Sequence, residues 1–144
     1  MAAPVVAKAC PVVLRTIGEA TEVLVFRHPL AGVQLVKGTV DPGETAASAA
    51  LRELAEEAGI TARVVRLLGS SLEIADGQLW HFFQCETDAL PESWVHHAED
   101  DGGYDFAFSW WPLSRVPDPA SWHPVFVRAL DQVRTALSRP RDTG

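Results

Sequence analysis

Two cysteines in 144 residues are too few for a disulfide framework. Cys10 and Cys85 both fall in strand-like segments; one bridge between them is open on sequence grounds, but buried free thiols in a reducing compartment are the better reading. Positive charge is also short. Twelve Lys and Arg stand against 19 Asp and Glu, a net charge of −7, and this excludes a general nucleic-acid binder, which needs basic surface. No apolar run reaches the roughly 20 residues that span a bilayer, so a membrane is not an expected partner. The N-terminus lacks a basic segment, and Lys8 and Pro11 interrupt its apolar stretch, unlike a secretory leader. The expected location is therefore cytoplasmic. Internal repeats and linker-like stretches are missing too. With 47% hydrophobic residues disorder is excluded, and the length suits one domain with its own core. That domain is expected over residues 1–138, with 139–144 as a flexible tail.

What is present concentrates between residues 38 and 60. Gly38 opens a loop, Glu44 follows, and a helix expected over 45–58 carries Glu53, Glu56 and Glu57. Spacings of i, i+3 and i+4 bring the three carboxylates within about a 100° arc. Like charges so placed repel each other unless a cation sits among them. Oxygen ligands without Cys or His favour Mg²⁺, with Mn²⁺ as substitute, over zinc. The chemistry implied is metal-assisted attack on a phosphate. Ala47, Leu51, Leu54 and Ala58 gather on another side, expected against a sheet. Ala46 and Ala49 lie on the acidic stripe, where small side chains leave room for metal and phosphate. Thr45 suits an N-cap, and Gly59 sits where a left-handed C-cap is expected. A solvated charged face is the bland alternative. It gives no reason for Gly38, Glu44 and Gly59 to stand at their spacings.

The segment resembles the Nudix box, G-x5-E-x7-R-E-U-x-E-E-x-G-U with U aliphatic. Gly38, Glu44, Arg52, Glu53, Leu54, Glu56, Glu57, Gly59 and Ile60 match every specified position without a gap. A pattern so long is far more specific than a short glycine motif. The resemblance implies a Mg²⁺-dependent pyrophosphohydrolase that cleaves a nucleoside diphosphate linked to another moiety. It implies that Glu53, Glu56 and Glu57 ligate the metal, joined by the backbone carbonyl of Gly38. Bound metal would lower the pKa of the attacking water and neutralise the leaving phosphate. Glu44 and Arg52 would pair to brace loop against helix. Lys37 would contact a substrate phosphate, although a plain surface lysine beside a turn fits equally well. Family members often add a carboxylate from a downstream loop. Glu99 is the first choice here for its reach, Asp101 the second, with Asp100 between them; a merely hydrophilic loop is the alternative.

The remaining chain fits an α/β (α+β) fold, the Nudix-type α/β/α sandwich with a mixed β-sheet between helices. The expected order is β-β-β-α-β-β-β-α. Strands are expected at 5–17, with Pro11 marking a bulge or edge, and at 22–27, 33–36, 63–68, 71–75, 78–87 and 104–111. Asp76-Gly77 reads as a hairpin turn, and 88–103 as one long polar loop. Trp94 in that loop either stacks on a base or pins the loop to the sheet. His96 and His97 read as exposed loop histidines. Trp110 and Trp111 read as core or sheet-face residues, one of them lining the pocket. A last helix over 121–137 presents Phe126, Leu130, Val133 and Leu137 on one face.

Specificity is not legible. Lys37-Gly38 is similar to members acting on dinucleoside polyphosphates, yet the tyrosine those enzymes carry beyond the box is replaced by Asp76-Gly77. The proline of ADP-ribose enzymes is missing nearby, and no array of the NADH type is present. A regulatory nucleotide-binding module on the same fold is the second reading, although such modules lose box carboxylates. A prenyl-diphosphate isomerase needs a cysteine motif that neither Cys10 nor Cys85 provides. The oligomeric state stays open between monomer and homodimer; the apolar first strand with Pro11 is the surface available for pairing.

Overall fold

The valine-rich run after Pro4 builds the middle of the molecule. The computed structural model describes residues 4–99 and 103–139. In chain order it contains β1 (Val6–Ile17), β2 (Ala20–His28), β3 (Gly32–Gln34), β4 (Gly38–Thr39), α1 (Ala46–Glu53) continued by a π-helical turn (Leu54–Ala58), β5 (Arg63–Ser71), β6 (Gln78–Glu86), β7 (Trp94–Ala98), β8 (Tyr104–Pro112) and α2 (Pro124–Ser138). The sheet runs β5-β6-β1-β2-β8-β7, with β4 on β1 and β3 on β2. Only the β1–β6 pairing is parallel among those described, so the expected mixed sheet is present.

Residues that alternate along the strands divide between two faces. Leu24, Phe26 and Phe83 pack with Ala49, Ala50, Leu54 and Ala58 of the first helical element. Val23, Val25 and Phe82 pack with Phe126, Ala129, Leu130 and Val133 of α2. Both faces are covered, which makes the α/β/α sandwich. Cys10 lies in the second cluster and Cys85 in the first, so the sheet separates them. Both are buried and free. Burial pushes the Cys85 thiol up to about 11 and the Cys10 thiol further in the same direction.

Four expectations change. Pro11 is not at an edge, because β1 is central. On one side β1 pairs β4 at Lys8 and Ala9 and β2 from Leu14 onward; Pro11 falls where the strand changes partners, so a missing N–H is tolerated. β6 pairs β1 on the other side from Val6 to Val13. Residues 63–71 form one strand rather than two segments, with register shifts near Val64 and Leu67. Asp76-Gly77 closes a longer connection that begins at Leu72, with Gly77 at φ 72°. The polar stretch 88–103 contains β7, whose Trp94, His96 and Ala98 face inward while Val95 and His97 face out. That period of two is carried by a tryptophan and a histidine, and composition alone reads it as loop. Of the expected tail at 139–144, Arg139 ends α2 as its C-cap, and residues 140–144 lie outside the described residues. No helix among the described residues is long and apolar enough to cross a membrane.

Candidate active site

Thr45 starts the acidic helix as expected: its Oγ1 accepts from Ser48 N–H at 3.1 Å, a cap worth about 1 kcal/mol. The helix is regular only to Glu53. From Leu54 it widens into a π-turn, closed by Gly59 N–H on Ala55 O at 3.1 Å and Ile60 N–H on Leu54 O at 3.4 Å. Gly59 ends it at φ 72°, where L side chains are strained. A wider turn advances each residue by less than the 100° of an α-helix. Glu57 therefore shifts toward the line of Glu53, and Glu56 shifts away from it. The buried side also differs from the regular wheel. Ala49, Ala50, Glu53, Leu54 and Ala58 are inside, so Ala49 packs on the sheet instead of leaving open room.

Arg52 is the hub of the acidic residues. Its Nε and Nη2 donate to the two Glu44 carboxylate oxygens at 2.8 and 2.9 Å. Nη1 reaches Glu53 Oε1 at 2.8 Å and Glu56 Oε2 at 3.2 Å. Nη2 also donates to Thr39 O at 3.0 Å and lies 3.5 Å from Asp41 Oδ2. The bidentate fork to Glu44 is the strong form of such a contact, and it ties the box loop to the helix as expected. The guanidinium, followed by the Asp41 N–H, holds the Glu44 carboxyl down at about 2. Glu44 foremost, then Glu53, drives the Arg52 pKa upward. Glu53 is the one charged residue in the buried class among the described residues, 8% exposed. A buried carboxylate needs such a partner.

Glu53 and Glu57 line one wall of a cleft of about 390 Å³ that also contains Lys8, Lys37, Gly38, Thr39, Asp41 and Arg52. Lys37 and Gly38 are thus brought to the carboxylates as expected. Lys8 and Asp41 were not foreseen. Lys8 stands opposite Thr39 in the β1–β4 register and donates to its Oγ1 at 2.7 Å. Nothing in the sequence joins residues 8 and 39 while the box loop is read as irregular. The two lysines place local positive charge in the lining of this cleft. Gly38 is required sterically: a Cβ there would sit 2.1 Å from Glu53 Oε1.

The donor set fits a hard divalent cation. The Glu53 and Glu57 carboxylates and the Gly38 carbonyl are oxygen donors on residues of the same cleft, the ligand type Mg²⁺ prefers. Among the described residues no three acidic, His or Cys side chains converge on one point. Glu53 and Glu56 each give an oxygen to Arg52 instead, and Glu56 is not in the cleft lining. Glu99 lies one residue past β7 with its side chain 93% exposed, 3.9 Å from His97 Nε2, and is not in that lining either. Asp100 and Asp101 lie outside the described residues. His97 Nδ1 pairs with Asp105 at 2.8 Å. Trp94 pins β7 to the sheet, stacked on Phe108 at 5.1 Å. Trp110 lies under Arg15 and Trp111 against Trp122; neither lines the cleft.

The fold and site have known counterparts. The NUDIX domain model matches residues 7–130. No curated protein matches the chain. Among solved structures, an ADP-ribose pyrophosphatase from Streptococcus suis superposes with a TM-score of 0.68 over 94% of each chain at 12% identity. The NUDIX domain of Shewanella oneidensis NrtR complexed with ADP ribose gives 0.62 at 15% identity, over 96% of this chain and 91% of that one. A C. elegans Ap4A hydrolase gives 0.62 at 21% identity, over 93% and 98%. At these identities the structures speak for the fold alone. With the box complete and the domain model matched over most of its length, the chain belongs to the Nudix family.

Proposed function

We propose that this chain is a Mg²⁺-dependent pyrophosphohydrolase of a nucleoside diphosphate linked to another moiety. As a Nudix protein it is a hydrolase of phosphoric anhydride bonds; the metal and the substrate class are the proposal. The observation that carries it is the cleft lined by Glu53 and Glu57 together with Lys8 and Lys37. Glu53, Glu57 and the Gly38 backbone would hold the metal, with Glu56 as the third carboxylate. Bound there, a divalent ion supplies charge stabilisation at phosphorus and an activated water. Lys8 and Lys37 bind the phosphate oxygens. Arg52 keeps the box loop against the helix, so the carboxylates stay in place as substrate arrives. A carboxylate accepts the proton of the attacking water. Glu99, just past the end of β7, is the first choice for the reach of its side chain.

The organic end of the substrate has a place as well. Lys37 also lines a second cavity of about 220 Å³, walled by Gln34, Gln78, Trp80, His123 and Phe126. Gln78 Oε1 accepts from Trp80 Nε1 at 2.8 Å, which leaves its amide N–H groups for a ligand. Aromatic walls with a few polar groups suit a nucleoside. The three fold relatives whose names mention ADP-ribose or Ap4A are consistent with such a ligand.

The test is phosphate and nucleotide release, with and without Mg²⁺, from nucleoside triphosphates, dinucleoside polyphosphates, nucleotide sugars, ADP-ribose and NADH. Mg²⁺-dependent cleavage of one class is expected. Tight binding of a panel member by folded protein with no cleavage would replace the hydrolase with the regulatory-module reading.

A further inference from the structure

The last turn of the acidic helix is completed by a strand from elsewhere in the chain. Trp94 Nε1–H donates to the Ala58 carbonyl at 3.0 Å, and His96 Nε2 meets the Glu56 carbonyl at 3.1 Å. A carbonyl only accepts, so His96 carries its proton on Nε2. The final carbonyls of a helix have no partner within it. Here two of them are taken by side chains at alternate positions of β7, on one face of that strand. Trp94 is itself held, stacked on Phe108 with the rings 9° from parallel. Gly59 belongs to the same arrangement. A Cβ there would lie 2.7 Å from His96 Nδ1, so the glycine makes room for the ring in addition to supplying its left-handed turn.

We propose that Trp94 and His96 are positioning residues of the hydrolytic site. By holding the carbonyls of Glu56 and Ala58 they fix the π-turn, and Glu57 lies between those two carbonyls in the chain. Relaxation to a regular helix would swing Glu57 away from the line of Glu53 and bring Glu56 toward it. Neither β7 residue touches the reacting atoms; each acts through the backbone it holds. This inference rests on the hydrolase reading above.

Trp94→Phe keeps the stacked ring and removes the N–H. His96→Ala removes the second donor, and His96→Gln returns one at a similar reach. Mn²⁺ affinity, read by electron paramagnetic resonance without substrate, is expected to fall about ten-fold or more in the combined Trp94→Phe/His96→Ala protein. Amide exchange at residues 59 and 60 should quicken, kcat should drop with little change in KM, and His96→Gln should recover most of the loss. If the combined variant does not fold, Trp94→Phe alone is read by the same measures. Unchanged Mn²⁺ affinity and exchange in folded variants would overturn the positioning role while leaving the hydrolase reading intact. A wild-type protein that binds no Mn²⁺ would overturn both.

Discussion

On one face of the sheet, α2 is a regular helix of 15 residues whose buried members, Phe126, Ala129, Leu130 and Val133, are all apolar. His123 caps it by accepting from Val125 N–H at 3.2 Å, and Pro124 occupies its first turn, a standard helix start. On the other face, α1 keeps regular geometry for eight residues, buries the Glu53 carboxylate and then widens into a π-turn. Its final carbonyls are held by side chains of β7. The two helices pack in separate clusters on the two faces of the same sheet, yet only one departs from regular geometry. Departures of this kind concentrate where a structure is shaped for function. One helix holds the fold together, and the other holds a set of charges in place against their own repulsion.

Replacing Glu53 by Gln should separate the two roles most sharply. It keeps the volume against Gly38 and removes the charge, so turnover should fall by about 10²-fold or more while the circular dichroism spectrum stays native. A variant that unfolds, or one that keeps full turnover, would erase the distinction. Leu130→Ala on the opposite face should do the reverse. It empties a fully buried position and should cost about 2–5 kcal/mol in denaturant unfolding, with turnover per folded molecule unchanged. The third effect is the smallest and depends on pH. Glu44 has a folded pKa of about 2, below its ordinary 4.5, because Arg52 and the Asp41 N–H favour the carboxylate. Between those values the unfolded chain binds more protons, so the pair's contribution is complete above about pH 4.5 and is lost as pH falls toward 2. Unfolding curves at pH 6 and pH 3 should show a smaller loss for Glu44→Gln than for wild type. Equal losses would remove Glu44 from the bracing role.

The same contrast explains what the sequence made legible. The apolar face of α2 was readable as Phe126, Leu130 and Val133, because a regular helix repeats at 100° and carries no charge inward. The Nudix box was readable through spacing, and Thr45 and Gly59 behave as their types require. The π-turn was not readable. It depends on donors from Trp94 and His96, roughly forty residues away in the chain, and no local propensity encodes them. β7 escaped for a related reason: after Trp94 its inward positions are His96 and Ala98 instead of the β-branched and aromatic residues that mark a strand. Lys8 was hidden because it joins the cleft through pairing with a two-residue strand, Gly38–Thr39. Arg52 was recognised as a partner of Glu44; its contact with Glu56 is an i,i+4 pair that spacing offers, whereas its hold on the neighbouring Glu53 follows from side-chain packing that spacing does not report.

In the proposed reaction the Glu53 and Glu57 carboxylates, and not the fold as a whole, confer the dependence on Mg²⁺. The most direct test is Mg²⁺-dependent turnover of the Glu57→Gln variant beside the wild type, on whichever diphosphate the wild type cleaves. The account predicts that the variant folds normally and loses turnover by about 10²-fold or more. A folded Glu57→Gln protein with wild-type Mg²⁺-dependent activity would contradict it.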